Sequence, residues 1–583
     1  MSTKKWNIQN NFQFSIFNFQ LDRLVNILLE NRGVKNKKEI DDFLNPKLEK
    51  VTIKSVVIDS KQLKITLKRI KQALEKKEQI IVFGDYDVDG ICGTAILWET
   101  LNNLGANVLP YIPHRVDQGY GLSIKGIEDL LSTERYTLNA IRSLIITVDN
   151  GIVANDAVDF ANKLGIDVII TDHHVPGKKL PKAYSIVHTT KLCGTSVAWM
   201  LSEEVSRHSG LSRIDSGVAK APQNDHLGLV ALATVADLVP LTGANRTLLA
   251  HGLRVLQTTK RPGLLALFQE AALDKKTIGT YEIGHIIAPR LNAMGRIENA
   301  MDSLRLICTT NAKRAETLAF TLGSTNRERQ AITKEAAQHA VSGIRNQIDS
   351  GQARMTGEGI RKLIFIAHES YQPGVVGLVA GRLVEEFYRP SIVISIGEEH
   401  SKASARSVSG FNIIEFIRSS SELLVDAGGH PMAAGFTVET AKILLLQKAL
   451  EKKAEKLLTD DMLTRTLKID IEIPLTLVNT SFYNAIQQLA PFGMGNPEPT
   501  FVSKGVVIED MRLVGADRKH IKFKFQISNF KFQIQGIGFG LGERTSEFHV
   551  GDRVDIVYTI DENTWNGNTS LQLKVKDIKN PVV

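Results

Sequence analysis

Cysteine is nearly absent from this chain of 583 residues: Cys92, Cys193 and Cys308 are the only three, far apart and in no CxxC spacing. That excludes a disulfide framework and a cysteine-based zinc site, and it assigns the thiols to a reduced interior. Long apolar runs are missing too. No stretch reaches the roughly 18 apolar residues that a membrane span needs. The N-terminal MSTKKWNIQNNFQ has no apolar segment behind its lysines. Neither a membrane span nor a secretory signal is expected, and the expected location is the cytoplasm. Internal repeats and low-complexity tracts are also lacking.

What is present is an ordinary globular composition, 43% hydrophobic and 23% charged. At about 150 residues per domain, the length calls for roughly three to five domains. Lys and Arg number 71 against 63 Asp and Glu, a formal charge of +8, and this mild basic excess favours a polyanionic partner.

Residues 61–78, KQLKITLKRIKQALEKKE, place Leu63, Leu67, Ile70 and Leu74 at helical spacing with lysines opposite. This predicts an amphipathic helix. The apolar run Ile80-Ile81-Val82-Phe83, an acidic loop and then GICGTAILWETLNNLG form a strand–loop–helix unit. SLIITVDNG, DVIITDHH and YSIVHTT repeat the pattern. Alternation of this kind predicts a doubly wound parallel sheet. Residues 227–241 read as an apolar helix ending near Pro240, and residues 311–350 as a long connecting helix. A second α/β lobe follows, from KLIFIAHES through GLVAGRLVEEF and PSIVISI to AGGHPMAAGF. Beyond it, short alternating strands with Gly and Asn turns predict a small β-barrel. The expected divisions are 1–65 (an N-terminal segment, expected to be helical), 66–310, 311–350, 351–462 and 463–583.

Asp85, Asp87 and Asp89 crowd the loop GDYDVDG directly after a buried strand. Ligands bind beyond the carboxyl ends of such strands. Carboxylates that close repel one another, and a divalent cation relieves the repulsion. The DxDxDG pattern resembles the first half of an EF-hand. That reading fails at the twelfth position counted from Asp85, which is Ile96 in place of the bidentate Glu. Two further strands end in Asp149 and in Asp172, His173 and His174, and Asp237 interrupts the apolar TVADLVP. Carboxylates with imidazoles suit Mn²⁺ or Mg²⁺, and a cluster this rich can hold two ions.

The ordered motifs GDYDVDG, TVDNG, TDHH and ATVADLVP resemble the DHH phosphoesterase superfamily. PHRVDQGYGL, APRLNAMGR, PGVVGLVAGRL, AGGHPMAAGF and APFGMGNPEPTF narrow the resemblance to its RecJ exonuclease family, over about residues 65–583. The resemblance implies a DHH domain and a DHH-associated domain joined by a long helix, with a C-terminal OB-fold. It implies a two-metal site of Asp85, Asp87, Asp89, Asp149, Asp172, His173, His174 and Asp237, holding Mn²⁺ or Mg²⁺. Arg290, Asn292 and Arg296 are expected at the scissile phosphate. Arg115 is expected to hold a 5′-phosphate and Tyr120 to stack on a base. Ser404, Arg406, Gly428, Gly429 and His430 are expected to face the substrate. Two departures stand out. Phe83 occupies a position where several DHH relatives have His, and Tyr371-Gln372 replaces the family's Trp-His.

In HIKFKF the lysines Lys522 and Lys524 alternate with Phe523 and Phe525, with Lys519 just before. The lysines, Lys519 and Lys522 first among them, are expected to contact a nucleic-acid backbone, and the phenylalanines to lie in the barrel core. The function expected is a 5′→3′ exonuclease specific for single-stranded DNA, releasing 5′-mononucleotides in repair and recombination. As the resemblance implies, it would be a monomer working beside helicase and single-strand-binding proteins. The alternatives are a DHH phosphoesterase of oligoribonucleotides or other small phosphoesters, and a non-catalytic replication scaffold. The long helix and barrel argue against the first, and the intact acidic motifs against the second.

Overall fold

The computed structural model describes residues 4–15, 19–119, 121–132, 143–208, 225–349, 361–526, 532–565 and 567–581. Tyr120 lies outside them. The chain divides into two units. One comprises Arg32–Arg327 with Gln488–Glu498, and the other Met1–Asn31, Glu328–Gln487 and Pro499–Val583.

The first strand, β1 (Lys5–Asn10), belongs to the second unit, and the next five build the first. These are β2 (Gln79–Phe83), β3 (Asn107–Tyr111), β4 (Leu144–Val148), β5 (Asp167–Asp172) and β6 (Ser185–His188). They pair in parallel in the order β3-β2-β4-β5-β6. Every residue of QIIVF in β2 and LIITV in β4 is buried. A strand covered on both faces has no reason to alternate, which is why these segments read as continuous apolar runs. From β2 the chain crosses first to β3 on one side, then to β4 on the other. The sheet therefore has its topological switch point at the carboxyl ends of β2 and β4, where GDYDVDG and DNG sit.

The helix Val88–Asn103 starts inside the acidic loop and is buried along nearly its whole length. It packs against the helices Gly194–His208 and His226–Ala236. The helix Ala312–Asp349 runs out of the first unit into the second.

In the second unit, β7 (Ile364–His368), β8 (Ser391–Ser395), β9 (His400–Arg406), β10 (Asp426–His430) and β11 (Ala433–Glu439) form a sheet ordered β10-β11-β9-β8-β7. Only the β7–β8 pair is parallel. The remaining strands are β12 (Thr466–Glu472), β13 (Phe501–Val514), β14 (His520–Gln526), β15 (Gln533–Gly538), β16 (Arg553–Trp565) and β17 (Asn568–Lys579). The pairings run β13-β14-β15-β17-β16 and return from β16 to β13, the ring expected of an OB-fold.

The N-terminal segment is helical over Leu21–Asn31 and Lys37–Leu44, as expected, but not at its start. Residues 5–10 form β1, paired in parallel with β12, in place of the helix expected there. KWNIQN is short and polar, and the partner that makes it a strand lies more than 450 residues away. Residues 488–498 also depart, since they belong to the first unit although the strands on either side belong to the second. Arg246 accounts for this. It is buried and donates to the carbonyls of Phe43, Gln488, Leu489 and Ala490, at 2.8, 3.4, 2.8 and 2.7 Å.

Candidate metal centre

Each carboxylate is aimed by a different device. Asp87 caps the helix Val88–Asn103, its Oδ1 accepting from the N–H groups of Asp89 and Gly90 at 2.9 and 3.1 Å. Asp89 lies in the first turn of that helix and is 1% exposed. Its two oxygens accept from the Gly194 and Thr195 N–H groups, both at 2.7 Å. Those amides open the helix Gly194–His208, so a helix N-terminus holds a carboxylate inside the protein. Gly194 also lets Asp149 come close to the same helix end, because a Cβ there would lie 2.6 Å from Asp149 Cβ.

Asp149 ends β4 in the left-handed region, φ +63°, and its N–H donates to Thr171 O at 3.0 Å. The strained turn lifts the side chain out of the strand direction toward β2 and β5. Asn150, next in the chain, donates to the Phe83 and Val148 carbonyls and accepts from Leu122 N–H, tying three segments together behind the site.

His173 Nε2 stands 3.1 Å from Asp149 Oδ1 and 3.6 Å from both Asp89 Oδ2 and Asp237 Oδ2. Among the described residues this nitrogen makes no hydrogen bond. His174 Nδ1 is 3.8 Å from Asp149 Oδ1. Three sets of ligand atoms converge within bonding range of a single cation: Asp149, His173 and His174; Asp89, His173 and Asp237; Asp85, Asp87 and Asp149. Asp149 and His173 are shared between sets, the arrangement expected for two neighbouring ions.

The electrostatics agree. Burial and the neighbouring Asp87 push the Asp85 carboxyl well above the usual carboxylate range, and burial with Asp89, Asp87 and Asp85 does the same to Asp149. Asp87 is raised by burial and by Asp89. Asp237, at the end of the helix His226–Ala236, is pushed up to about 9 by burial, Asp89 and Asp87. Burial lowers His173, favouring the neutral imidazole that coordinates metal. Among the described residues, both oxygens of Asp85 are buried without a well-formed hydrogen bond. Buried carboxylates gathered around two imidazoles, with no thiolate, fit Mn²⁺ or Mg²⁺.

Asp172, expected among the ligands, is in none of the three sets. Its Oδ2 accepts from Ile152 N–H at 2.9 Å. Its Oδ1 accepts from the N–H groups of His173 and His174 and lies 2.8 Å from His174 Nδ1. It organises its own turn and orients His174, as outer-shell carboxylates do. Although burial acts to raise it, the carboxyl is held below the usual range, chiefly by its bond to His174, which is raised in return.

Asn292 and Arg290 each make a bond within the fold. Asn292 Oδ1 accepts from Val88 N–H at 2.9 Å, securing the acidic loop. Arg290 pairs through Nε with Glu270 at 2.7 Å, and Glu270 also takes Arg327 at 2.6 Å. Arg296 follows Asn292 by four residues on the helix Ala288–Ile297, so it lies on the same face. Arg115 sets its guanidinium over the Tyr86 ring, 5.0 Å from the centroid.

In the second unit, Arg406 Nη1 donates to Ser404 Oγ at 3.0 Å. Both crowd Gly377, in the first turn of the helix Val376–Phe387, where a Cβ would lie 2.9 Å from Ser404 Oγ and 3.0 Å from Arg406 Nη2. A guanidinium and a hydroxyl thus meet beside a helix N-terminus. Gly428, Gly429 and His430 are exposed in β10. Tyr371 is buried, its hydroxyl 2.8 Å from His339 Nδ1, and Phe83 is buried against Tyr111. On β14, Phe523 and Phe525 are buried as expected, and Lys522 stands opposite Arg512. Lys519 is exposed, 3.4 Å from Asp517.

Comparison with known proteins agrees with this geometry. Residues 79–234 match the DHH family N-terminal domain, 359–456 the DHHA1 domain and 469–577 the RecJ OB domain. The chain is 34% identical to the single-stranded-DNA-specific exonuclease RecJ of Bacillus subtilis, across 99% of its own length and 71% of that protein. It is 29% identical to the Escherichia coli exonuclease of the same name, across 96% of each. The crystal structure of RecJ from Thermus thermophilus in complex with Mn²⁺ superposes with a TM-score of 0.77 at 26% identity, covering 99% of this chain and 80% of that one. With its acidic and DHH motifs gathered at one sheet's switch point, its associated domain and its OB-fold, the chain belongs to the RecJ family.

Proposed function

We propose that this protein is a metal-dependent exonuclease that hydrolyses single-stranded DNA from the 5′ end and releases 5′-mononucleotides. The observation that carries the reading is the meeting of Asp85, Asp87, Asp89, Asp149, His173, His174 and Asp237 in three overlapping sets within a chain of the RecJ family. When bound, Mn²⁺ or Mg²⁺ supplies a water of lowered pKa and positive charge beside the phosphate under attack.

The chain's own residues do the rest. The Gly194 and Thr195 amides hold Asp89 in place and aim it. Asp172 fixes which face His174 presents. Asn292 holds the loop that carries Asp85 and Asp87. Arg296, beside that loop, offers a donor fork to the phosphate oxygens, and Arg290 is oriented by Glu270. Arg115 is the receptor for the terminal 5′-phosphate, which carries more charge than an internal diester. Ser404 and Arg406 take a phosphate of the strand, and β14 supplies backbone contacts through Lys519 and Lys522.

The working divisions are residues 66–310 for catalysis, 351–462 for the associated domain and 463–583 for strand binding. The family resemblance supports a cytoplasmic monomer that acts beside helicase and single-strand-binding proteins. No helix among the described residues is long and apolar enough to cross a membrane.

The test uses 5′- and 3′-labelled single strands, duplexes and RNA, with and without Mn²⁺. Mononucleotide release from the 5′ label of single-stranded DNA, only with metal, is the expected result. Release from the 3′ label first would overturn the polarity, and cleavage confined to short oligoribonucleotides would replace this activity with a small-substrate phosphoesterase.

A further inference from the structure

Tyr86 lies between Asp85 and Asp87, and nothing in metal binding uses its side chain. Its backbone is tightly placed. A Cβ at Gly295 would lie 2.5 Å from Tyr86 O and 3.1 Å from Tyr86 Cβ, and Asn292 holds the N–H of Val88 two residues on. Over its ring sits the Arg115 guanidinium, 5.0 Å from the centroid. Among the described side chains no carboxylate lies within ion-pair distance of Arg115, and the ring face, with the longer-range attraction of Asp85, is what holds it.

An arginine in an ion pair has spent part of its donor fork. One held by a ring face has not, because the cation–π contact uses the plane of the guanidinium and leaves the N–H groups at its edge. The polypeptide also ties the two functions together. Asp85 and Asp87 belong to one of the three ligand sets, and the residue between them carries the shelf for Arg115.

We propose that Tyr86 is a positioning residue: its ring face fixes Arg115 for the 5′-terminal phosphate, and so sets both the preference for 5′-phosphorylated strands and the offset between that phosphate and the metal centre. The inference rests on the reading of Arg115 as the phosphate receptor.

The experiment compares kcat/KM on 5′-phosphorylated and 5′-hydroxyl single strands for the full chain and its variants, with Mn²⁺ affinity followed by electron paramagnetic resonance. Arg115→Ala tests the underlying reading and should lose the preference. Tyr86→Phe keeps the ring and should keep the preference. Tyr86→Leu should lose roughly three- to ten-fold of it, in line with a partly desolvated cation–π contact, at unchanged Mn²⁺ affinity. Tyr86→Phe carrying three ring fluorines keeps the shape and empties the ring face, so it should behave as Tyr86→Leu does even if the leucine variant fails to fold.

A wild-type preference in the fluorinated variant overturns the inference while leaving Arg115 in place. An equal loss in Tyr86→Phe overturns it in favour of the hydroxyl. A loss of Mn²⁺ affinity alongside the preference shows that the loop itself has moved, and overturns it too. A preference that survives Arg115→Ala removes both the inference and the reading beneath it.

Discussion

His173 Nε2 lies 3.1 Å from Asp149 Oδ1, and these two residues are the ones that the overlapping ligand sets share. Removing either side chain therefore damages more than one set of ligands. Asp149→Ala and His173→Ala should each lose Mn²⁺ affinity and nuclease activity together, by at least about 100-fold, while remaining folded. Circular dichroism establishes the fold and calorimetry the metal affinity. Substantial activity in either variant, or in the wild type with EDTA, would remove the metal centre from the mechanism.

Asp172 tests a subtler point, because its oxygens accept from Ile152, His173 and His174 and it joins none of the three ligand sets. Asp172→Asn keeps the shape but offers an amide where His174 needs an acceptor. Metal affinity should fall by about 10- to 100-fold, and activity should return at high Mn²⁺. A variant that no concentration of Mn²⁺ restores would make Asp172 a direct ligand after all.

That difference shows where the sequence stops being legible. The apolar runs QIIVF and LIITV announce buried parallel strands, and acidic residues directly after them announce a site, because strand ends are where a doubly wound sheet binds. Whether a given Asp ligates or braces cannot be read the same way. The partner that occupies Asp172 Oδ2 is an amide 20 residues away, and the amides that hold Asp89 lie 105 and 106 residues on, in a CGTS segment that reads as no more than a helix start. Strand β1 was hidden for the same reason, since only its partner β12 gives KWNIQN a regular structure.

The crowded carboxylates give the metal-free protein a distinctive pH response. Asp85, Asp87 and Asp149 are raised and Asp237 is pushed up to about 9, so the folded chain keeps protons that the unfolded chain releases near pH 4. With more protons bound in the folded state, stability falls as pH rises between about 4 and about 9. The lowered carboxyls Asp172 and Glu99 act oppositely but are ionised in both states above about pH 5, and the opposing effect of the lowered His173 below about pH 6.5 is countered by the raised His174. Thermal melts in EDTA should show a Tm that declines from about pH 5 to about pH 9. Mn²⁺ replaces the protons, so its stabilising effect should grow over the same range, reaching about 2.7 kcal/mol at a hundredfold excess over its Kd. A metal-free Tm that rises with pH would show that the carboxylates are neutralised by something other than protons.

The OB-fold is best probed by single substitutions. A truncation there would also remove residues 488–498, whose Met494 carbonyl accepts from Leu241 N–H at 2.7 Å, four residues beyond Asp237. On β14 the two faces divide cleanly: Phe523 and Phe525 are buried, while Lys522 stands opposite Arg512 on the other face. Lys522→Gln should lower affinity for all single strands alike and reduce the slope of log affinity against log salt by about 0.7, the share of one phosphate contact on a single strand. Phe523→Ala should instead cost about 3 to 5 kcal/mol of stability and leave that slope unchanged, because the ring packs in the barrel and touches no base. Fluorescence anisotropy over a salt series, paired with denaturant melts, separates the two effects. A phenylalanine variant that stays fully stable yet loses strand affinity would move the binding surface to the face assigned here to the core.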